Sequence, residues 1–405
     1  MTGLPQLLCE GINKTPPPRP RRAVFVRWIM KAITNGRIVT PTGIVEGKSL
    51  LFTDRIVGIS SEVPDCETID AKGGYVSPGL VDVHVHGYDG ADASDGDLDG
   101  LRKMARGVAR NGVTSFLPTT MTLPYELLER AFNAARIMVK NPMPDEARAL
   151  GVNAEGPFLS PIKRGAHDPR YLRLPDADFL LKHADVIKIT TIAPELEGAL
   201  ECIEKVTKAG MYVAIGHSTA DFDCARRAVD SGATQATHTF NAMPALGHRE
   251  PGLAGEVLWD ERVFCELIAD GFHIHPAWFK ILQRVKGDKL VLITDCTRAG
   301  GLADGDYDLG GQVMRVRGIQ CLLPDGTIAG SVLRYNLAVK NMVEKGGVSV
   351  FDAFQMASLN PARAIGFGDR KGSLAPGKDA DIAVFDAAFE PVQTIVAGET
   401  AFARE

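Results

Sequence analysis

The chain is poor in several things that would otherwise decide its class. No run of eighteen or more apolar residues occurs in its 405, so no membrane-spanning helix is expected. Basic charge is not in excess: 45 Lys and Arg stand against 50 Asp and Glu, a net charge of −5. That balance argues against nucleic acid or an anionic membrane surface as a partner. The seven cysteines are odd in number, scattered and without CxxC spacing, which excludes a disulfide framework and fits reduced thiols in the cytoplasm. Aromatic residues make up only 7% of the chain, whereas 45% is hydrophobic and 23% charged, a globular composition with length enough for a large core. Residues 1–29 include Pro16-Pro-Pro-Arg-Pro-Arg-Arg22 and have no apolar core of the kind a signal peptide needs. They read as a disordered leader with Met30 as an alternative start, and a targeting role is the competing reading.

What is present is organised around Val81-Asp-Val-His-Val-His-Gly87. In an extended strand the side chains at i and i+2 share a face, so His84 and His86 present two imidazoles side by side before Gly87 turns the chain away. Imidazole is a common ligand of zinc and its first-row neighbours. A polar strand end bonded to water is the plainer explanation, and this stretch alone does not decide between them.

The texture on either side is short and β-like. Ala32-Ile-Thr-Asn-Gly-Arg-Ile-Val39, Lys48-Ser-Leu-Leu-Phe-Thr53 and Arg55-Ile-Val-Gly-Ile59 are punctuated by Gly, Asp and Asn, and Asp381-Ile-Ala-Val-Phe-Asp386 and Thr394-Ile-Val-Ala-Gly398 repeat the pattern at the far end. This predicts a small β-sandwich built from both chain ends, residues 30–77 and 372–405. Between them, apolar strand candidates at 113–116, 149–153, 186–192, 212–215, 235–237, 264–268 and 290–293 alternate with helical periodicity at 101–109, 126–139, 200–208 and 278–285. With the His84 strand the strands number eight, which predicts a (β/α)8 TIM-like barrel over 78–371, and an α/β class for the whole.

Such barrels carry their chemistry at the C-terminal ends of the strands. The residues that close the strands here are His84 and His86, Glu155, His217, His238 and Asp295. Each alone is what a satisfied polar strand end looks like. Six Asp, Glu and His residues at one end of one barrel point instead to a metal site. Glu155, His217 and His238 form a two-His, one-carboxylate set that leaves room for a water, as catalytic zinc sites do. His84 and His86 allow a second ion with Glu155 shared between the two. Asp295 is the candidate proton shuttle, and a partner that merely orients a histidine is its alternative role.

At this point the residues resemble the N-acetylglucosamine-6-phosphate deacetylase family of the amidohydrolase superfamily, from Ala32 to the C-terminus. The resemblance rests on Asn153-Ala-Glu-Gly-Pro-Phe158, Lys163-Arg-Gly-Ala-His-Asp-Pro169, Gly216-His-Ser218, Ala236-Thr-His-Thr-Phe-Asn-Ala-Met-Pro244, Arg249-Glu-Pro-Gly-Leu-Ala-Gly255, Ile268-Ala-Asp-Gly-Phe-His273 and Thr294-Asp295. It implies hydrolysis of the N-acetyl group of N-acetyl-D-glucosamine 6-phosphate in amino-sugar catabolism and cell-wall recycling. Its implied metal ligands are Glu155, His217 and His238, with His84 and His86 permitting one or two divalent ions, zinc first, with iron, manganese or cobalt as alternatives. It further implies Asp295 as acid/base, His167 polarising the acetyl carbonyl, and substrate contacts from Asn241, Ala242, Arg249, His273, Ile328, Ala329 and Gly330. A homodimer is implied too, with Arg249 reaching the neighbouring subunit's site. The segment around Arg298 varies among relatives, and contact of Arg298 with substrate is an open expectation. The galactosamine epimer, another amidase activity on this scaffold and a barrel without catalysis are the alternatives.

Overall fold

The computed structural model describes residues 29–404, so residues 1–28 of the expected leader lie outside the described residues. Eight strands form a parallel, nearly closed barrel: Leu80–Val85, Val113–Thr120, Val152–Glu155, Ile187–Ile192, Tyr212–Ile215, Gln235–Ala236, Phe264–Ile268 and Leu290–Ile293. From the first strand to the last, successive neighbours pair in parallel, for example Thr119 with Asn153, Thr191 with Ala214 and Cys265 with Leu290. Nearly every residue of these strands is buried, because helices cover the outer face while side chains fill the interior. The seam between first and last strands is drawn together just above their ends. The Asp295 N–H donates to the His84 carbonyl (2.8 Å) and the His86 N–H to the Cys296 carbonyl (2.9 Å). Asp82 strengthens the seam by accepting from the Thr294 hydroxyl at 2.6 Å.

Where strands depart from expectation, a local cause is visible. The second strand continues to Thr120 rather than stopping at 116, since Pro118 does not break it. Proline in a central strand normally argues against one, but here the pairing with the first strand shifts register on reaching Pro118, opposite Val85. The strand expected over 149–153 is instead two pieces, Arg148–Ala149 and Val152–Glu155, broken at Gly151, whose φ of 141° departs from a regular strand. A three-stranded antiparallel sheet, Gly305–Leu309, Gln312–Arg317 and Gln320–Leu322, was not anticipated. Its first turn is Gly310-Gly311, both at positive φ, a two-residue hairpin connection with a readable signature.

The segments at the chain ends build two further sheets. One has four strands, in the order Ile56–Ser60, Ser49–Phe52, Lys31–Thr34 and Glu67–Asp70. In the other, of six strands, the C-terminal Ile382–Phe385 pairs antiparallel with Tyr75–Pro78, two residues before the barrel begins. Ile33, Leu50 and Phe52 of the first sheet share one apolar core with Ile38, Val76, Ile382 and Val384 of the second.

Phe385 points the other way, towards the barrel. It packs on Phe354 at 5.5 Å between ring centroids and against Gly112, where an added Cβ would come within 2.5 Å of the ring. It is 1% exposed. Truncating a buried phenylalanine leaves a cavity that the surroundings only partly fill, so Phe385→Ala is expected to lower stability by about 3–5 kcal/mol. Denaturant unfolding measures this directly, and a loss below about 1 kcal/mol would show that the ring does not join the end sheets to the barrel.

Candidate metal centre and active site

The strand ends deliver the polar residues to one mouth of the barrel. Glu155 is the last residue of its strand, His84 is the fifth residue of the first strand, and His86 follows that strand directly. His217, His238 and Asp295 each come two residues after a strand, at φ of 47°, 28° and 49°. Non-glycine residues pay a steric cost in this left-handed region and hold it only where their surroundings enforce it. Three such residues around one point mark a place where the chain is bent to aim side chains inwards.

They are aimed at Glu155. Its Oε1 lies 3.1 Å from His217 Nε2 and 3.0 Å from His238 Nε2, and its Oε2 lies 3.0 Å from His86 Nε2. His84 Nε2 is 3.5 Å from Oε1. Two triads therefore share this carboxylate, His84–His86–Glu155 and Glu155–His217–His238, each with its donor atoms within 4.8 Å of one another and all five residues buried.

Hydrogen bonds on the far side of the rings fix which nitrogens carry protons. His217 Nδ1 faces the Lys163 carbonyl at 2.8 Å and His86 Nδ1 the Thr119 carbonyl at 3.2 Å. A carbonyl only accepts, so both Nδ1 atoms are protonated and, in the neutral ring, both Nε2 lone pairs face inwards. His84 is set the same way by Glu266, whose Oε2 accepts from its Nδ1 at 3.0 Å. The result is lone pairs crowded together, with His217 and His238 Nε2 only 2.9 Å apart and His84 Nε2 buried without a hydrogen-bond partner. Such a nest demands positive charge. Burial disfavours protonation of His86, but Asp295 and Glu155 outweigh it and raise its pKa to about 10. Nitrogen and carboxylate donors converging in this way fit a divalent cation.

His167 is wired in the opposite sense. The Thr122 N–H, which can only donate, points at His167 Nδ1 from 3.1 Å, so in this neutral ring the proton sits on Nε2, 3.3 Å from Glu155 Oε2. Burial lowers the His167 pKa to about 4, and the ring is neutral near pH 7. It is thus a hydrogen-bond donor beside a set of acceptors. Asp295 Oδ1 lies 3.1 Å from His86 Nε2. Burial works against its ionised form, yet His86 and His84 prevail and bring its pKa to about 2.

Above this floor opens a cavity of about 430 Å³. Of the expected substrate contacts, His167, Asn241, Ala242, His273, Ile328 and Gly330 line it. Ala329 does not; it is fully buried behind the wall among Leu309, Met314 and Cys321. Arg249 is exposed and lies outside the cavity of its own chain. Arg298 does not line the cavity either, because its guanidinium is turned away onto Asp95 at 2.7 Å. Glu266 was missed in the sequence. It supports two candidate ligands at once, through His84 Nδ1 and the His238 N–H (3.1 Å). The signal was there, since glutamate inside the otherwise apolar strand Phe264–Ile268 is seldom fully buried unless paired.

Residues 75–401 match the model of the amidohydrolase family. The chain is 37% identical over 369 residues to N-acetylgalactosamine-6-phosphate deacetylase of Escherichia coli O157:H7, covering 90% of this chain and 97% of that one. It is 38% identical over 381 residues to N-acetylglucosamine-6-phosphate deacetylase of Bacillus subtilis (strain 168), covering 92% and 94%. Among solved structures, N-acetylglucosamine-6-phosphate deacetylase from Pasteurella multocida superposes with a TM-score of 0.89 at 32% identity, over 93% of this chain and 100% of that one. The chain belongs to the amidohydrolase family. Within that family, the three relatives just named, matched at 32–38% identity over nearly their whole length, are amino-sugar-phosphate deacetylases.

Because Glu266 orients one ligand ring and anchors the backbone of another, Glu266→Gln is expected to weaken divalent-metal affinity by about 10–100-fold with the fold retained. Competition titration with a chromophoric chelator reads this, and unchanged affinity would remove Glu266 from the metal's support.

Proposed function

We propose that this chain hydrolyses the N-acetyl group of N-acetyl-D-glucosamine 6-phosphate to D-glucosamine 6-phosphate and acetate. The observation that carries the reading is the joint placement of a neutral Nε2–H donor on His167, a carboxylate on Asp295 and the Glu155-centred cage on the floor of one cavity. The names of the relatives point to the same chemistry.

Glu155, His217 and His238 would hold one ion, and His84 and His86, sharing Glu155, a second. Zinc is the first choice for these donors, with iron, manganese and cobalt able to use them. When bound, a divalent cation here supplies a Lewis acid and brings the pKa of a water towards neutrality. The chain's own groups do the rest. Asp295 takes the proton from the attacking water as the new C–O bond forms. His167 Nε2–H donates to the acetyl oxygen as negative charge gathers on it, an interaction stronger in the transition state than before it. Asp295 then returns its proton to the amide nitrogen as the C–N bond breaks, so that acetate and the free amine leave.

Arg249 suits a phosphate through its planar fork, and its exposure outside its own cavity supports a role in the neighbouring subunit of a homodimer. No helix among the described residues is long and apolar enough to cross a membrane, and we place the enzyme in the cytoplasm. A second reading, the galactosamine epimer as substrate, is favoured by the 37% identity to the Escherichia coli enzyme of that name.

Acetate release from phosphorylated and unphosphorylated N-acetylglucosamine and N-acetylgalactosamine, with metal analysis on the same sample, tests the assignment. Release from N-acetylglucosamine 6-phosphate foremost is expected, whereas preference for the galactosamine ester would favour the second reading. In the same assay Asp295→Asn should keep its metal and lose about 10²–10⁴-fold in turnover. Near-normal turnover by the metal-loaded variant would refute the shuttle.

A further inference from the structure

Arg298 is a cation whose side chain is only 15% exposed, with three carboxylates around it: Asp95 at 2.7 Å, Asp308 at 3.5 Å and Asp92 at 3.9 Å. These belong to separate segments. Asp92 and Asp95 bracket the short turn Ala93–Asp95 after the first barrel strand, and Asp308 lies in the strand Gly305–Leu309 of the added sheet. The backbone of Arg298 is held as well. Its carbonyl accepts from the Gly90 N–H at 2.7 Å, and a Cβ at Gly87 would come within 2.6 Å of its nitrogen.

Both segments lead to His167. In the turn, the Ser94 hydroxyl accepts from the Met121 N–H at 3.1 Å, and the next peptide N–H along, that of Thr122, fixes His167 Nδ1. The Thr122 hydroxyl adds a second contact to the same atom at 2.9 Å. From the added sheet, the Gln312 side chain donates to the Ala166 carbonyl at 2.6 Å, one residue before His167. Met121 and Ala166 also share an apolar cluster with Leu309, Met314 and Val316 of that sheet. The donor histidine is therefore held from both sides by segments that Arg298 ties together.

We infer that Arg298 is a positioning residue for the hydrolysis proposed above: by joining the Asp92–Asp95 turn to the added sheet it fixes His167 where its Nε2–H meets the developing oxyanion. It rests on the proposed deacetylation for its kinetic readout and touches no substrate itself. Removing the guanidinium loosens the donor while the backbone bonds that hold His86 to Ala93 and Cys296 remain, so turnover falls while substrate binding and metal content are retained.

The test compares Arg298→Ala, Arg298→Lys and Asp95→Asn in the metal-loaded enzyme, each with and without His167→Gln. Expected is a 10–100-fold fall in kcat for Arg298→Ala with KM changed less than about threefold, partial recovery in Arg298→Lys, and a smaller fall in Asp95→Asn. On the His167→Gln background, Arg298→Ala should cost nothing further, because its effect passes through the histidine. Losses that multiply on that background, or an unchanged kcat, would overturn the inference. Limited trypsinolysis after the exposed Arg315 and Arg317 supplies a readout independent of activity: faster cleavage in Arg298→Ala is expected, and equal rates would overturn the tie to the added sheet. Failure of the wild-type enzyme to release acetate would sink the proposed reaction instead, and leave the proteolysis result to judge the tie.

Discussion

The Glu155 carboxylate, buried at the mouth of the barrel, has five imidazoles gathered round it at 3.0–3.5 Å, the candidate ligands His84, His86, His217 and His238 and the donor His167. An isolated buried carboxylate is expensive, and so is a cluster of inward-facing imidazole lone pairs. Together they are stable only with positive charge between them, whether protons or a metal ion. That constraint explains why the barrel tolerates a cluster of ionisable side chains here, while elsewhere its strands hold apolar residues, uncharged Thr, Ser, Asn and Gln, and few charges beyond Asp82, Lys188 and Glu266. It also explains why the residues that deliver the ligands sit at unfavourable φ, since a relaxed backbone would point His217 and His238 elsewhere.

Around this point the chain assigns protons by geometry alone. Carbonyls of Lys163 and Thr119 and the carboxylate of Glu266 hold the rings of His217, His86 and His84 in one tautomer, and the Thr122 amide holds His167 in the other. Two kinds of histidine thus stand side by side, lone-pair acceptors and one N–H donor, without any change of pH. The closing seam of the barrel passes through the same place, because Asp295 and His84 are joined by a backbone hydrogen bond between the last and first strands.

The sequence made the barrel and the convergence of its polar strand ends legible, for a physical reason: strands buried on both faces carry few ionisable residues, so a His or Glu at the end of one stands out. His84, His86, Glu155, His217, His238 and Asp295 were all readable in this way. Glu266 was not singled out because it sits within a strand, where its partners, His84 and the His238 amide, lie far off in sequence. Pro118 disguised the length of the second strand. The added sheet went unread although Gly310-Gly311 announced its turn, since short strands of mixed polarity such as Gly305–Leu309 resemble loop. Ala329, expected at the substrate, and Arg298, whose contact with substrate was open, are not in the cavity. A residue's direction depends on neighbours that spacing does not reveal.

Residues distant in the chain converge to hold a cation on Glu155. Anomalous diffraction at the absorption edge of the metal found in the purified protein tests it most directly. A peak is expected about 2.0–2.2 Å from Glu155 Oε1 and from the Nε2 atoms of His217 and His238. Full activity in a protein whose metal lies elsewhere, or which holds none, would contradict it.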